Sequence, residues 1–209
     1  MHYTFYYVRA PLTSAGPGSK TASLQPACSE ALKETARQII ELQPQIIFHS
    51  GIERVRTAAS MFDGSGIRMM EMPELHMDSS NDAEMSRLLI MMKKQGGQAL
   101  ITYIRAGFEA QLNSMFHNVR KATKAKILES GLVASETEWS AGKRANICFL
   151  GHMPLLSACI WLNSANKGEV ARELKGFVYG YGVRAAEAIV YKRDEQGFVI
   201  DWKLISPCR

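Results

Sequence analysis

Short apolar runs alternate with segments of helical periodicity along most of the chain. The first run covers residues 3–8. Arg9 follows it directly, and Pro11 then begins a loop rich in Ser, Gly and Pro. An apolar run bounded in this way by turn residues predicts a buried strand. Similar short runs predict strands at 46–50, 67–72 and 146–151. Apolar residues at helical spacing predict helices at 26–42, 53–62, 82–94 and 154–162.

The end of the chain has a different pattern. Two apolar runs, 186–192 and 198–204, flank a turn sequence at 194–197, which predicts an antiparallel hairpin. Upstream of it, strands that alternate with helices indicate βαβ units and a parallel sheet. The predicted fold class is therefore α/β with three layers: a mostly parallel central sheet, helices on both of its faces, and an antiparallel edge. We expect the strand at 67–72 to lie at or near an edge.

The segment at about 98–143 does not fit a minimal α/β plan. It is helical in pattern from 99 to 128 and carries the basic residues Arg105, Arg120, Lys121, Lys124 and Lys126. We interpret it as a helical insertion within a single domain that spans residues 1–209. Two interpretations of the basic residues stay open: they form the solvated face of a packed helix, or they form a basic lid over an anionic ligand.

Composition narrows the class of protein. The 209 residues are 46% hydrophobic and 22% charged, as is usual for a globular domain with a full core. The net charge of +5 suits an anionic ligand but is too small to indicate nucleic acid. The four cysteines lack metal-ligand spacing, so we expect no metal and no other cofactor. Without a signal peptide or an apolar run of roughly 18 residues, we expect a cytoplasmic protein with no membrane partner.

Polar residues directly follow three of the predicted strands. Arg9 ends the first strand, Ser50 and Arg54 follow the second, and His152 follows the fourth. Ligands of an open α/β sheet bind at the carboxyl ends of its parallel strands, so we expect these side chains to converge. Guanidinium groups bind phosphate oxygens in bidentate fashion, and the helices that begin after Ser50 and after His152 add N–H donors. The sequence therefore predicts a phosphate-binding site.

The same segments resemble the motifs of a known family. Val8 and Arg9 stand where the histidine phosphatase (phosphoglycerate mutase-like) superfamily has R-H-G or R-H-A after its first strand. Residues 50–59 are similar to its second motif, S-P-x-x-R-A-x-x-T-A, and residues 150–154 are similar to its third, G-H or G-H-N-P. The Pro-Glu-Leu sequence at 73–75 and the closing hairpin most resemble the small phosphohistidine phosphatase (SixA-like) branch. The resemblance covers most of the chain except the insertion.

The resemblance implies a phosphoryl-transfer site. In this family the histidine of the first motif attacks phosphorus and forms a phosphohistidine, which water then hydrolyses. By the match of motifs, Arg9 and Arg54 would be catalytic, phosphate-binding arginines and His152 the second catalytic histidine, with Ser50 as a further phosphate ligand. The residues alone leave other roles open: a structural ion pair for Arg9, an ordinary helix-surface position for Arg54, and a helix cap for His152.

Some branches of the family place a Glu or Asp after the third strand as a general acid. Glu74 and Asp82 are loose candidates for that role, and Glu74 and His76 are possible residues of the rim. His49 is expected to be structural, because strand alternation points its side chain away from that of Ser50.

One position departs decisively from the family. The nucleophile position is Ala10, by substitution or by deletion of the histidine, and a methyl group cannot attack phosphorus. Gly51 also replaces the proline of the second motif. We therefore predict an inactive pseudophosphatase that binds phosphate or a phosphorylated small molecule or protein. Two alternatives stay open. One is a phosphohistidine or phosphomonoester phosphatase, as an engineered inactive mutant or with another nucleophile, and the other is an interaction module that uses the basic insertion.

Overall fold

A computed structural model of the chain describes residues 3–10, 26–76, 83–95, 99–135, 138, 145–163 and 168–207. Its strands are β1 (Tyr3–Arg9), β2 (Ile46–His49), β3 (Arg68–Glu71), β4 (Ile147–Gly151), β5 (Ala188–Arg193) and β6 (Val199–Ile205). Its α-helices are α1 (Pro26–Glu41), α2 (Glu53–Ala59), α3 (Ala83–Gln95), α4 (Leu100–Arg105), α5 (Glu109–Glu129), α6 (Leu155–Asn163) and α7 (Glu169–Gly180). Short 3-10 helices, Ser60–Phe62 and Pro73–Leu75, follow α2 and β3. None of these described helices is long and apolar enough to cross a membrane.

The strands form a six-stranded sheet in the order β3-β2-β4-β1-β5-β6. The first four strands in this order are parallel, β5 pairs antiparallel with β1, and β6 pairs antiparallel with β5. The predicted mostly parallel sheet with an antiparallel edge is confirmed, and β3 forms the opposite edge. Arg9 is in register with Gly151, and His49 with Leu150, so the carboxyl ends of β1, β2 and β4 lie level with one another.

Helices cover both faces of the sheet, as predicted. Successive strand residues point to opposite faces, so neighbours in β1 enter different cores. Tyr7 packs with residues of β4, α5, α6 and α7 on one face. Val8 packs with residues of β2, α1 and α2 on the other face, where Leu32 and Ala36 present the apolar side of α1. A third apolar cluster joins α3, α4, α5 and α6. The three-layer α/β class is therefore confirmed.

The helices α4 and α5 fill most of the segment at 98–143. They are separated at Gly107, whose φ of +88° lies in the left-handed region that favours glycine. α5 buries Leu112 and Phe116 among its apolar residues, while Arg120 and Lys121 are exposed. The interpretation of this segment as an insertion within a single domain stays a prediction, and so does the role of its basic residues.

One helix, α7, was not predicted from the sequence. It buries Ala171, Leu174 and Val178, which recur at helical spacing and could have indicated it. Gly176 and Gly180 interrupt the pattern and lower the helix propensity, because glycine loses the most backbone freedom when it enters a helix. The omission matters because the segment after α7 holds Arg9 in place.

Candidate functional site

Arg9 ends β1 at the carboxyl edge of the sheet, where the residues that precede β5 hold it. The backbone N–H of Arg9 donates to the backbone carbonyl of Glu187 at 3.0 Å, and the backbone N–H of Ala186 donates to the Arg9 carbonyl at 3.2 Å. The Arg9 guanidinium donates through Nη1 to the carbonyl of Val183. The position of this guanidinium is therefore set by the segment between α7 and β5.

Arg54 and His152 meet between the turns that follow β2 and β4. Arg54 lies in the first turn of α2 and is only 7% exposed. Its Nη2 atom lies 3.5 Å from both Nδ1 and Nε2 of His152. The two residues are 98 positions apart in the sequence, and the parallel pairing of β2 with β4 brings their strands side by side. The segments that resemble the second and third motifs are thus in contact through these two side chains.

Positive charge surrounds the His152 ring. Burial lowers the pKa of His152 well below its ordinary value of 6.5, and the neighbouring Arg54, His76 and Arg9 lower this pKa further. Burial also lowers the pKa of Arg54. In the ligand-free chain the imidazole is therefore neutral near pH 7. An anion placed among these groups would raise the pKa of His152 and favour its protonated form.

Ser50 supplies a buried hydroxyl at the end of β2. The residue is 5% exposed, and its Oγ atom has no hydrogen-bond partner among the residues that the structure describes. An unpaired buried hydroxyl costs about 1–3 kcal/mol of desolvation that a hydrogen bond would offset. A ligand oxygen at this strand end could supply that bond.

The turn after Ser50 explains the departure at Gly51. Gly51 has a φ of +74°, which proline cannot adopt because its ring fixes φ near about −65°. A Cβ atom at Gly51 would also lie 2.8 Å from Oε2 of Glu71. The Gly51 N–H donates to Nδ1 of His49 at 3.3 Å, and burial lowers the pKa of that histidine. The Ser-Gly sequence therefore specifies a turn that the family's Ser-Pro sequence could not form.

Ala10 follows Arg9 directly and is buried at the end of β1. Its N–H donates to the carbonyl of Gly151 at 2.7 Å, and the residue is 4% exposed. Its methyl group belongs to the apolar cluster that includes Val8 and Leu32. A methyl carbon has no lone pair to offer phosphorus, so residue 10 cannot act as a nucleophile.

The residues expected near the rim differ in where they lie. The His76 ring centroid is 6.2 Å from that of His152, with 72° between the ring planes, so His76 adjoins the site. Glu74 is exposed and makes no hydrogen bond or ion pair with a described residue. Asp82 lies outside the described residues. Within the described part of the chain, no group of three or more His, Cys, Asp or Glu side chains could hold a metal ion.

The network that fixes the segment before β5 was not predicted. The buried Glu187 carboxylate accepts hydrogen bonds from the Tyr181 hydroxyl at 3.0 Å, the Arg184 N–H at 2.7 Å and the Ser206 hydroxyl at 3.1 Å. These bonds tie the end of α7 and the end of β6 to the residues that contact Arg9. The sequence around Glu187 does not predict that its carboxylate fixes this segment, because its hydrogen-bond partners come from different elements.

Solved structures of phosphatases share this fold over almost their whole length, although no family model and no curated protein matches the chain. A candidate phosphohistidine phosphatase, SixA, from Agrobacterium tumefaciens is 15% identical, with a TM-score of 0.51, over 98% of this chain and 96% of that one. A mycobacterial glucosyl-3-phosphoglycerate phosphatase in complex with inorganic phosphate is 13% identical, with a TM-score of 0.59, over 99% and 97%. The phosphoglycerate mutase of Bacillus anthracis is 14% identical, with a TM-score of 0.57, over 98% and 92%.

These comparisons define the fold of the chain. It is the fold of the histidine phosphatases, shared with SixA-type and phosphoglycerate mutase-like proteins, and the resemblance inferred from the motifs is confirmed at that level. The individual roles of Arg9, Ser50, Arg54 and His152 stay predictions, which the geometry above allows to be stated as a proposal.

Proposed function

We propose that this chain binds a phosphoryl group between Arg9, Ser50, Arg54 and His152 and does not hydrolyse it. The observation that carries this proposal is the contact of the buried Arg54 with both ring nitrogens of His152 at 3.5 Å. Two basic groups held this close repel each other once His152 is protonated, and an anion between them would relieve that repulsion. The ligand would be phosphate or a phosphorylated small molecule or protein.

Each member of the site has a distinct part in holding the anion. The guanidinium groups of Arg9 and Arg54 supply permanent charge and paired N–H donors, a geometry suited to phosphate oxygens. Ser50 would donate its buried hydroxyl to one oxygen. His152 would gain a proton on binding, since the anion raises its pKa, and would then donate to another oxygen.

Hydrolysis would fail at the first step because of Ala10. The family's reaction needs a ring nitrogen at this position to attack phosphorus while the leaving oxygen departs. With a methyl group there, the phosphoryl group would be bound but not transferred. The chain would therefore act as a pseudophosphatase, which recognises a phosphorylated partner without changing it.

Isothermal titration with inorganic phosphate tests the proposal. We expect saturable binding by this chain and a loss of roughly ten- to a hundredfold in affinity for Arg54→Gln, since a hydrogen bond to a charged group contributes about 1.5–3 kcal/mol. The matched control is Arg56→Gln, which removes the same charge from the same helix. Arg56 is 62% exposed and pairs with Glu71 at 2.9 Å, so phosphate affinity should stay unchanged. Absence of phosphate binding, or equal losses in both variants, would overturn the proposal.

A second candidate function is hydrolysis with His76 as the nucleophile. It is favoured by the 6.2 Å separation of the His76 and His152 rings, which places a second imidazole beside the proposed phosphate site. A neutral His76 nitrogen would attack phosphorus, and the electron pair of the broken P–O bond would go to the leaving oxygen, which takes a proton from water. Water would then attack the phosphohistidine, and the P–N electron pair would return to the ring.

Turnover by the unmodified chain decides between the two functions. If His76 is the nucleophile, this chain hydrolyses an aryl phosphate, and His76→Asn abolishes hydrolysis while phosphate binding is kept. If the chain is a pseudophosphatase, no hydrolysis above the buffer rate is seen, and His76→Asn changes nothing in that assay.

A further inference from the structure

A cavity lies on the face of the sheet that α5 and α6 cover. Its volume is about 130 Å³, and four aromatic rings line it: Phe5, Tyr7, Phe116 and Phe149. An apolar cavity of about 150 Å³ is large enough to hold benzene. At about 130 Å³ this cavity is close to that size, and it lies between aromatic walls.

The cavity is separate from the phosphate-binding candidates. Arg9, Arg54 and His152 are absent from its lining, which instead includes Arg193. Arg193 is in register with Tyr3, six residues before Arg9 along β1. At about 3.3 Å per residue this is about 20 Å, so Arg193 lies toward the opposite end of the strand. A carboxylate bound to Arg193 would therefore lie near the amino-terminal end of β1, whereas the phosphate-binding candidates lie at the carboxyl end of the sheet.

Two arginines bring positive charge to the cavity. The Nε atom of Arg193 is buried and has no hydrogen-bond partner among the described residues. Its guanidinium carbon lies 5.5 Å from the Phe5 ring centroid and 5.7 Å from that of Tyr191, which holds it against the aromatic walls. The exposed Arg120 lines the same cavity from α5. Neither arginine forms an ion pair with a described residue.

The lining residues Tyr7 and Asn163 both contact the hydroxyl of Tyr191, which is not one of the lining residues given for the cavity. The Tyr7 and Tyr191 hydroxyl oxygens lie 3.4 Å apart, and Asn163 Nδ2 donates to the Tyr191 hydroxyl at 3.0 Å. Burial raises the pKa of Tyr7 and of Tyr191, so both phenols stay protonated. None of the described lining residues is acidic, so this part of the chain combines an apolar slot with two positive charges.

We propose that this cavity is a binding site for a small aromatic carboxylate, with the ring between Phe5, Phe116 and Phe149 and the carboxylate on Arg193. A carboxylate matches the paired N–H geometry of a guanidinium, and it would accept a hydrogen bond from the buried Nε atom, which has no partner among the described residues. The ring would replace empty space between aromatic side chains by contact. The site is independent of the phosphate-binding proposal.

Fluorine NMR with 4-fluorobenzoate tests this site. We expect a saturable shift with this chain and an affinity at least about tenfold lower for Arg193→Gln, which removes a charge-assisted hydrogen bond. The neutral analogue 4-fluorobenzamide should bind more weakly by a similar factor. The matched control is Lys203→Gln, which removes the same charge from an exposed residue of the neighbouring β6 and should leave the affinity unchanged.

A second variant tests the site independently, in case Arg193→Gln does not fold. Val119 lines the cavity and is 4% exposed, so Val119→Phe should fill the slot and abolish binding while the chain keeps its melting transition. Excess inorganic phosphate should not displace the benzoate. The proposal is overturned if benzoate fails to bind, if the benzamide binds equally well, if Val119→Phe binds normally, or if phosphate competes.

Discussion

The ends of β1 and β4 lie side by side, with Arg9 in register with Gly151, but different residues follow them. After β4 comes His152, which contacts Arg54 and is surrounded by positive charge. After β1 comes Ala10, whose methyl group is buried in an apolar cluster. One strand end thus keeps a group suited to holding a phosphoryl oxygen, while the other lacks a group that could attack phosphorus.

This difference separates binding from bond making. The proposed binding set is spread over three strand ends, so several side chains share the work of neutralising an anion. In the family's reaction, attack on phosphorus depends on a single nitrogen atom, and the motif resemblance implies that its position is residue 10. A change at that position can therefore remove turnover and leave binding intact, whereas changes at Arg54 or His152 should affect binding itself.

The largest effect is expected for Ala10→His. If residue 10 is the nucleophile position, as the motif resemblance implies, this variant should gain hydrolysis of an aryl phosphate on the order of a thousandfold or more over this chain, because a histidine there supplies the nucleophile. The larger side chain should also destabilise the fold by about 1–3 kcal/mol, since Ala10 is buried. Released phosphate measures the rate, and Ala10→Gln, which is polar but not nucleophilic, is the control. Equal rates in both variants would show that the site differs from a phosphatase in more than residue 10.

A smaller effect is expected in the pH dependence of anion binding. Sulfate stays a dianion between pH 5 and 8, so a change in its affinity over this range reflects protonation of the protein and not of the ligand. Burial and the nearby positive charges lower the pKa of free His152, whereas a bound anion raises it, so affinity should rise as the pH falls. One linked proton gives at most about tenfold per pH unit. Titration calorimetry of this chain and of His152→Asn measures the slope, and an equal slope in the variant would contradict the role of His152.

The stability of the ligand-free chain should fall as the pH falls, whereas its affinity for an anion should rise. The pKa of His152 is lower in the folded chain than its ordinary value of 6.5, so the unfolded chain binds the proton more readily. The contribution of His152 to stability is fully present above about pH 6.5 and is lost as the pH falls toward the folded pKa. His49, whose pKa burial also lowers, acts in the same direction. The melting temperature should fall below pH 6.5, and less steeply in His152→Asn; parallel curves would argue against this.

The smallest effect is expected for Ser50→Ala. Because the Ser50 hydroxyl has no hydrogen-bond partner among the described residues, its removal should leave the melting temperature of the ligand-free chain unchanged or slightly raised. Phosphate affinity should fall only a few-fold, since one neutral donor is lost. A large drop in melting temperature without ligand would indicate that Ser50 has a structural partner instead.

Much of the fold could be predicted because its signals are local. The apolar run that ends in Arg9 and the run that ends at Gly151 each predict a buried strand without reference to the rest of the chain. The rule that ligands bind at the carboxyl ends of parallel strands is why Arg54 and His152 could be expected to meet, but it does not give the order of the strands.

The unpredicted parts depend on pairings between distant elements. β5 lies against β1, so Val183 and Ala186 reach Arg9 and Arg193 reaches Phe5, but nothing in the hairpin sequence specifies that neighbour. The turn at Gly51 is similar, because only the structure shows that this residue has a left-handed φ of +74°. The type and spacing of residues indicate which side chains could bind a ligand. The residues that hold those side chains in place are known only once the order of the strands is known.

The most direct test of a phosphate site without a nucleophile is to follow one aryl phosphate with this chain by phosphorus NMR. Binding and release of inorganic phosphate are then read from the same sample over several hours. The pseudophosphatase proposal predicts a bound signal that Arg54→Gln loses, with release no faster than in buffer. Release above the buffer rate that Arg54→Gln abolishes, or the absence of any bound signal, would contradict it.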